Sequence, residues 1–470
     1  MEKAILSKST FIKGEQCLKA LYLYKNNYSL RDKMPADRVA VFNRGSRVGE
    51  LAQTLFPNGI NCKIGGPRQY SKAIEKTKEC IQFKEKALYE AAFLANNTLI
   101  YLDILTYENE KWHAYEVKSS AKISDTYLLD AALQYYIIKK SGLKIADFHL
   151  IFIDEEYIRG EEIAVNQLFK MQDVTDQIKL MQENISQKIS LQLSTLEDKK
   201  APEISIGPHC KKPYDCDFQG FCWKGVDKSI FEIPALDFEN QCQLFELKES
   251  NQLKIKFPNE IAKKQYHYQT LKKDYFDASF VQRIINQESS IIILNLLTYR
   301  PAIPWYKETK PYQTIAYAYL WSEVTLNGKI VENRFYISNN QYNPSNDIVK
   351  KLESELRDKQ IFSFFEDEYL HEFYQGLNII DFKRELIDGH IIGHNLKDYS
   401  FDGFIQAFSG KSPWYKGIMA DKQAGLKYEK EFIENRNIES IQDMISDYLQ
   451  DKNKYFVKTV INILKTNSND

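Results

Sequence analysis

The sequence predicts a mixed α/β chain of two domains joined by a helical segment. Three observations predict it. At 470 residues the chain exceeds one ordinary domain, and the length prior favours two to four. Apolar spacing is helical up to about Lys86, turns strand-like at Leu88 and becomes helical again at Asp125. A second α/β pattern begins at Ile291 and runs to the end. The expected boundaries are residues 1–230, a helical connector over 231–289, and residues 290–470.

The elements follow in order. Residues 9–26 read as one helix, capped by Ser9 or Thr10, with Leu18, Leu21 and Tyr22 at helical spacing and Cys17 inside it. After a loop with Arg31, Asp32 and Pro35, a helix carries NRGSRVGELAQTLF and stops at Pro57-Asn58-Gly59. Ser71 to Lys86 is a further helix, charged on most faces. From Leu88 to Ser120, short apolar pieces broken at Asn96-Asn97 and Glu108-Asn109-Glu110 predict a three-stranded antiparallel meander. A helix capped by Asp125 and closed by Gly142 follows, then a strand at residues 149–154. Residues 166–200 read as a long polar helical stretch. The segment APEISIGPHCKKPYDCDFQGFCW, rich in Pro and Cys, reads as a local knot. Short helices fill 231–289, and the closing TNSND is a frayed tail.

Composition narrows the function. Hydrophobic residues at 43% and charged residues at 27% are a globular balance, not a disordered one. No apolar run approaches the roughly 18 residues a membrane helix needs, so no membrane partner is expected. The opening MEKAILSKSTFIKGEQ has no signal-peptide core, which places the chain in the cytoplasm. There the seven cysteines are better read as metal or cluster ligands than as disulfides. The formal charge is −1, but residues 1–86 hold 17 basic and 8 acidic side chains, a net of +9. Such segregation points to an anionic partner at that end.

The sharpest pattern is Asp103, Glu116 and Lys118. Strand period two puts Glu116 and Lys118 on one face with Val117 on the other, and a hairpin brings Asp103 beside them. Glu90, one strand earlier, offers another carboxylate. Carboxylates of this kind hold Mg²⁺ or Mn²⁺, which acidifies water and neutralises a scissile phosphate, while a neighbouring lysine stabilises developing charge. Glu-x-Lys alone is usually a surface ion pair. Asp103 upstream and Gln134 on the next helix favour a nuclease.

The order Glu90, Asp103, Glu116-Val117-Lys118, then Gln134-Tyr135-Tyr136 resembles the PD-(D/E)xK nucleases, in their RecB-like and CRISPR-associated exonuclease branch. The resemblance implies a mixed-sheet restriction-endonuclease-like core flanked by helices. It implies metal on Asp103 and Glu116, a catalytic Lys118, and Gln134 aligning DNA or the attacking water. Arg44, Arg47 and the lysines of residues 63–86 would hold the DNA backbone, of single strands or duplex ends. The likeness extends to NRGSRVGE, but where the relatives carry a metal-binding His on the helix this chain has Gly49 or Glu50. Either Glu90 and Glu50 complete the site or metal binding is weaker than in the relatives.

Cys210, Cys216 and Cys222 stand at C-x5-C-x5-C, with Cys17 far upstream. Four thiolates suit zinc and [4Fe–4S] alike, but x5 gaps fit zinc ribbons poorly. RecB-like exonucleases often carry one Cys before and three after the nuclease core around a [4Fe–4S] cluster, which the resemblance therefore implies here, with Trp223 just beyond. His209 keeps a Cys3His zinc site open. Cys62, Cys80 and Cys242 lack a spacing partner.

The run from Ile291 to Trp321 resembles the opening of an RNase H-like DEDD exonuclease domain that follows such nucleases in a bacterial two-domain family. Thr298, Pro301-Ala302-Ile303-Pro304 and Pro311-Tyr312-Gln313 match, but Asn295 stands for the Asp and Leu297 for the Glu of its first strand. An amide and a leucine cannot replace metal-binding carboxylates, so this domain is expected to be catalytically degenerate. Asp381 is one acid and not a site, and His390 and His394 are ordinary polar residues. The expected function is a metal-dependent deoxyribonuclease with a pseudo-exonuclease domain. The alternative is a non-catalytic nucleic-acid-binding scaffold with protein partners in a repair or phage-defence complex.

Overall fold

A computed structural model gives the fold. It describes residues 5–34, 36–66, 69–249, 256–285, 289–367, 370, 376–415, 417–418 and 420–467. Pro35, parts of the 231–289 connector and the last three residues of the expected tail lie outside the described residues. The chain forms two compact units, residues 1–224 with 301–312, and residues 225–300 with 313–470. The connector segment thus falls in the second unit, and Pro301 to Tyr312 in the first.

The first unit runs β1 (Leu6–Ser7), α1 (Lys8–Gln16), α2 (Leu18–Asn26), α3 (Ala36–Gln53), β2 (Ile60–Asn61), α4 (Tyr70–Gln82), β3 (Ala87–Ala95), β4 (Thr98–Glu108), β5 (Lys111–Lys118), α5 (Asp125–Lys140), β6 (Ile145–Ile153), α6 (Val165–Leu168), β7 (Phe169–Asp173), α7 (Thr175–Leu180), α8 (Gln182–Glu197) and α9 (Gln219–Cys222). Its seven strands form one mixed sheet, β2-β3-β4-β5-β6-β7, with β1 parallel to the start of β4. The meander β3–β4–β5 is antiparallel as expected, β6 joins β5 in parallel, and β7 is antiparallel to β6.

Both faces are covered. On one, Phe11, Leu21, Ala131, Leu133, Ile178, Ile185 and Ile189 pack on Ile100, Leu102, Ala114 and Leu150. On the other, Val48 and Ala52 of α3 pack on Ile104, Tyr115, Ile151 and Ile153. Burying roughly 1.5–3 kcal/mol of apolar side chain at each such position fixes the sheet's register.

Local details differ from the sequence reading. The helix expected over 9–26 breaks at Cys17, whose φ/ψ of −164°/117° is extended, so that it ends α1 and begins α2. Ser7, not Ser9 or Thr10, caps α1, its hydroxyl accepting the Thr10 N–H. Ser124, not Asp125, caps α5. The polar stretch from 166 opens with the edge strand β7 before helix resumes.

The second unit runs α10 (Phe238–Glu249), α11 (Glu260–Leu271), β8 (Tyr275–Phe276), α12 (Ala278–Ile285), β9 (Ser290–Tyr299), β10 (Ile315–Thr325), β11 (Ile330–Ile337), α13 (Ser345–Leu356), β12 (Gln360–Ser363), β13 (Asn378–Asp381), α14 (Phe382–Ile387), β14 (Ile391–Ile392), α15 (Phe401–Ser409), α16 (Asp421–Tyr428) and α17 (Glu439–Asn467). Five strands form a second sheet, β11-β10-β9-β12-β13. The first three are antiparallel; β12 is parallel to β9 and β13 to β12. Ile348, Leu352 and Leu356 of α13 cover one face, and an aromatic cluster of Phe280, Phe382, Phe404 and Phe456 covers the other. Both units are therefore mixed α/β, and no helix among the described residues is long and apolar enough to cross a membrane.

Candidate active site and cysteine pocket

The carboxylate–lysine site forms where the β4–β5 ladder ends. Ile104 faces Tyr115 across the hairpin. Beyond that pair the Val117 N–H is taken, at 2.7 Å, by the Asp103 carboxylate instead of a backbone carbonyl. Glu116 is 1% exposed, and its Oε1 receives Lys118 Nζ at 2.7 Å. Lys118 Nζ also reaches Asp130 Oδ2 of α5 at 2.5 Å. One turn further along α5, the buried Gln134 offers its amide Nε2 to Asp130 Oδ1 at 3.4 Å. The structure thus brings Asp103, Glu116, Lys118 and Gln134 together.

Two members escaped the sequence reading. Asp130 ties Lys118 to α5. Lys8, the first residue of α1, places Nζ 2.6 Å from Glu116 Oε1 and 3.9 Å from Asp130 Oδ2. The i, i+4 spacing of Asp130 and Gln134 on one helix face was a usable signal. Nothing in the sequence points to Lys8.

The charges perturb one another strongly. Burial, then the neighbouring Glu116, pushes the Asp103 carboxyl up to about 7, against the opposing pull of Lys8 and Lys118. Burial also opposes ionisation of Glu116, but Lys118 and Lys8 override it and hold that carboxyl well below the usual range. Both lysines are held above their ordinary value: burial disfavours the ammonium, and Asp130, Glu116 and Asp103 more than offset it. Glu116 Oε2 and Gln134 Oε1 are buried without a hydrogen-bond partner among the described residues. Unmatched buried acceptors of this kind ask for a cation or a donor from outside the chain.

Glu90 stands opposite Asp103 in the β3–β4 ladder. It lies between the register pairs Tyr89–Ile104 and Ala91–Leu102, with a left-handed φ of 53°. Its carboxylate pairs with Lys63 Nζ at 3.2 Å. On α3, Arg44 lies over the Tyr312 ring at 5.6 Å with its Nε buried and without a hydrogen-bond partner among the described residues, and Arg47 is half-buried. Glu50 is exposed and Gly49 half-buried on the same helix.

The four cysteines share one pocket. Cys17, Cys210, Cys216 and Cys222 line it together with His209 and Trp223. The break between α1 and α2 puts Cys17 there. A 3₁₀ turn at Pro208–Cys210 presents Cys210 and the short α9 presents Cys222; Cys216 lies on the loop between them, its N–H donating to the Cys210 carbonyl at 2.8 Å. His209 Nε2 lies 3.8 Å from Cys210 Sγ. Burial pushes the thiols of Cys17, Cys216 and Cys222 up, Cys216 to about 11. The loop is fastened to α1: Gln16 Nε2 donates to the carbonyls of His209 at 2.8 Å and Tyr214 at 2.5 Å, and Lys13 Nζ reaches Asp217 Oδ2 at 2.6 Å. Among the described residues, no three His, Cys, Asp or Glu side chains converge to hold a single metal ion. Cys62, Cys80 and Cys242 are buried outside this pocket.

In the second unit, Asn295 is buried and donates to Asn453 Oδ1 at 3.0 Å; Asn453 donates to Ser322 Oγ at 2.9 Å, and Ser322 to Asn333 at 2.6 Å. Leu297 is fully buried. Asp381 caps α14 by accepting the Lys383 N–H at 3.0 Å. His390 pairs with Glu385 at 2.8 Å and His394 with Asp274 at 2.6 Å. The acids that sequence reading passed over are Glu366 and Asp402, both pushed up by burial, and Asp421, bound by Lys452 at 2.9 Å and 3.0 Å.

No protein-family model matches the chain, and no curated protein matches it.

Proposed function

We propose that this chain is a metal-dependent nuclease acting on DNA, with a restriction-endonuclease-like first unit and an RNase H-like second unit that has lost its own chemistry. The observation that carries the reading is the convergence of Asp103, Glu116 and Lys118 at one hairpin end, with Glu116 Oε2 buried and unmatched. A mixed sheet with helices on both faces supports the first assignment. The order β11-β10-β9-β12-β13, three antiparallel strands followed by two parallel ones, supports the second.

The donor set fits a hard divalent cation, since Asp103 and Glu116 offer carboxylate oxygens and one of these has no partner. Asp103 and Glu116 would hold Mg²⁺ or Mn²⁺, which when bound supplies an acidified water and a positive charge beside the phosphate. The chain's own groups do the rest. Lys118, fixed by Asp130, presents an ammonium to charge developing on the phosphate. Asp130 also draws in the Gln134 amide, leaving Gln134 Oε1 as an acceptor for water. Arg44 and Arg47 on α3 would meet the DNA backbone.

Cys17, Cys210, Cys216 and Cys222 would hold a [4Fe–4S] cluster. Their common pocket supports a shared four-thiolate site, and the x5 spacing, which zinc ribbons disfavour, supports the cluster over zinc. In the second unit, the neutral Asn295–Asn453–Ser322–Asn333 chain and the Asp421–Lys452 pair support a non-catalytic role.

The test is cleavage of end-labelled single- and double-stranded DNA with Mg²⁺ or Mn²⁺ by anaerobically purified protein. Lys118→Ala is expected to fold and to lose cleavage by at least 10²-fold, of the order removing one electrostatic group costs. Glu116→Ala is the control. Equal rates for wild type and Lys118→Ala would overturn the assignment. DNA binding with no cleavage under any condition would favour the scaffold.

A further inference from the structure

We propose that Lys8 is the resident cation of the carboxylate site: it neutralises the Glu116 carboxylate on which a divalent ion must bind, and so sets how tightly the site binds metal. This rests on the nuclease reading above.

Glu116 Oε1 receives both ammonium groups, Lys8 at 2.6 Å and Lys118 at 2.7 Å, while Oε2 receives nothing from the described residues. The two lysines are not equivalent. Lys118 is doubly anchored, since Asp130 holds it at 2.5 Å. Among the described residues, Lys8 has Glu116 alone within hydrogen-bond distance, because its approach to Asp130 is 3.9 Å. Its side chain is 29% exposed against 15% for Lys118, so it has the shorter way to water. Lys8 is therefore the ammonium that can leave without stranding a second carboxylate.

Charge balance points the same way. Ionised Asp103, Glu116 and Asp130 bring three negative charges, and Lys8 and Lys118 two positive ones. A divalent cation added to that set leaves it at +1, an unfavourable excess in a site this buried. If Lys8 withdraws as the cation enters, three carboxylates face one ammonium and one divalent ion, and the set is neutral. Metal uptake and withdrawal of the Lys8 side chain then become one exchange. The leaving ammonium stays tethered at the mouth of the site, where a DNA phosphate is its natural partner.

Lys8 is also placed with care. β1 pairs Leu6 with Thr98 and Ser7 with Leu99 at the start of β4, and the Ser7 cap then turns the chain into α1 with Lys8 as its first residue. A cation at a helix N-terminus opposes the helix dipole, so this position gains nothing from its own helix. What stabilises it is Glu116.

The experiment is Mn²⁺ titration of the full chain without DNA, with free Mn²⁺ followed by electron paramagnetic resonance. Wild type, Lys8→Met, Lys8→Arg and Glu116→Gln are compared, with thermal melting to verify folding and Lys8→Gln as a second neutral variant. Removing the competing charge should tighten Mn²⁺ binding by about tenfold or more in both neutral variants. Lys8→Arg should stay close to wild type, and Glu116→Gln should lose the site. Equal or weaker binding in folded Lys8→Met and Lys8→Gln, with Glu116-dependent binding in wild type, overturns the inference and leaves the nuclease reading standing. Absence of Glu116-dependent binding in both wild type and the neutral variants overturns the nuclease reading, and this inference with it.

Discussion

Asp217 is the most heavily committed acid in the cysteine loop, and replacing it by Asn tests the loop's attachment directly. The side chain is 6% exposed. Its carboxylate takes Lys13 Nζ of α1 at 2.6 Å, Arg38 NH1 of α3 at 2.6 Å and Arg31 Nε at 3.4 Å. Its backbone carbonyl accepts the Asp32 N–H at 2.7 Å. The Asn variant keeps the size and the backbone bond but leaves three cations without their counter-charge. Breaking a buried pair costs about 3–5 kcal/mol. The cations keep some access to water, between 14% and 29% of their side chains, which screens part of that cost. A loss of about 2–4 kcal/mol is expected, which at roughly 2–3 kcal/mol/M in urea moves the first unit's midpoint down by about 1 M. The pH dependence supplies a second readout. Burial works against the Asp217 carboxylate, but Lys13, Arg38 and Arg31 outweigh it and hold the group below its ordinary range. A depressed carboxyl contributes stability that is complete above the unfolded value near 4 and is lost as pH falls through the folded value. The gap between wild type and Asp217→Asn should therefore be constant from pH 7 to 5 and should close on further acidification. Urea melts by circular dichroism at several pH values make the measurement. A midpoint within about 0.2 M of wild type at pH 7, or a gap that widens in acid, would refute the reasoning.

Two further substitutions probe the other centres. Lys452→Met should destabilise the second unit by about 2–4 kcal/mol, because among the described residues Asp421 then keeps only the Tyr448 hydroxyl at 2.8 Å; thermal unfolding measures it, and a loss below about 1 kcal/mol would show that Asp421 is adequately solvated without its lysine. Cys222→Ser should lose the brown colour and the bound iron of anaerobically purified protein, and full iron retention would exclude Cys222 as a ligand.

Much of the first unit was legible because its signals are local. The strand breaks at Asn96-Asn97 and Asn109-Glu110 coincide with left-handed residues at all four positions, and turn chemistry of that kind is written in a few adjacent letters. The alternation of Glu116, Val117 and Lys118 fixed a common face for the two charged residues by period alone. What stayed hidden depends on distant partners. The break at Cys17 is invisible to periodicity, because apolar spacing continues through Leu18 and Leu21; only the packing of α1 and α2 against α8 and the pull of the cysteine pocket separate the helices. The strand β7 is polar at Lys170, Gln172 and Asp173 because it is the sheet's edge, and an exposed edge strand carries little alternation. Lys8 lies 108 positions from Glu116, beyond any spacing argument. Compositional charge also overstated the basic surface. Lys8, Lys13, Arg31, Arg38 and Lys63 are all engaged with internal acids, so the excess in residues 1–86 that is open to a phosphate backbone is smaller than +9.

These internal uses of basic residues have a common carrier. Of the five cations, two belong to α1, and they act at different places: Lys8 at the carboxylate site and Lys13 at Asp217 of the cysteine loop. Gln16 of the same helix binds two carbonyls of that loop, and Cys17 ends the helix inside the pocket. Nine residues at 1.5 Å each make a rod of about 13 Å, short enough to transmit displacement along its axis without bending. On its flank, Gln192 of α8 donates to the Phe11 carbonyl at 3.1 Å and to Glu15 at 2.8 Å, and a Cβ on Gly14 would collide with the Gln192 amide. The helix is thus held closely along one side and bonded at both ends. A change at the pocket that moves Cys17 must either strain these bonds or carry Lys8 with it. The Asp217→Asn variant frees Lys13 at the pocket end of α1 while leaving every residue of the carboxylate site in place, so α1 is one route, beside Arg38 of α3, by which it can change Mn²⁺ binding.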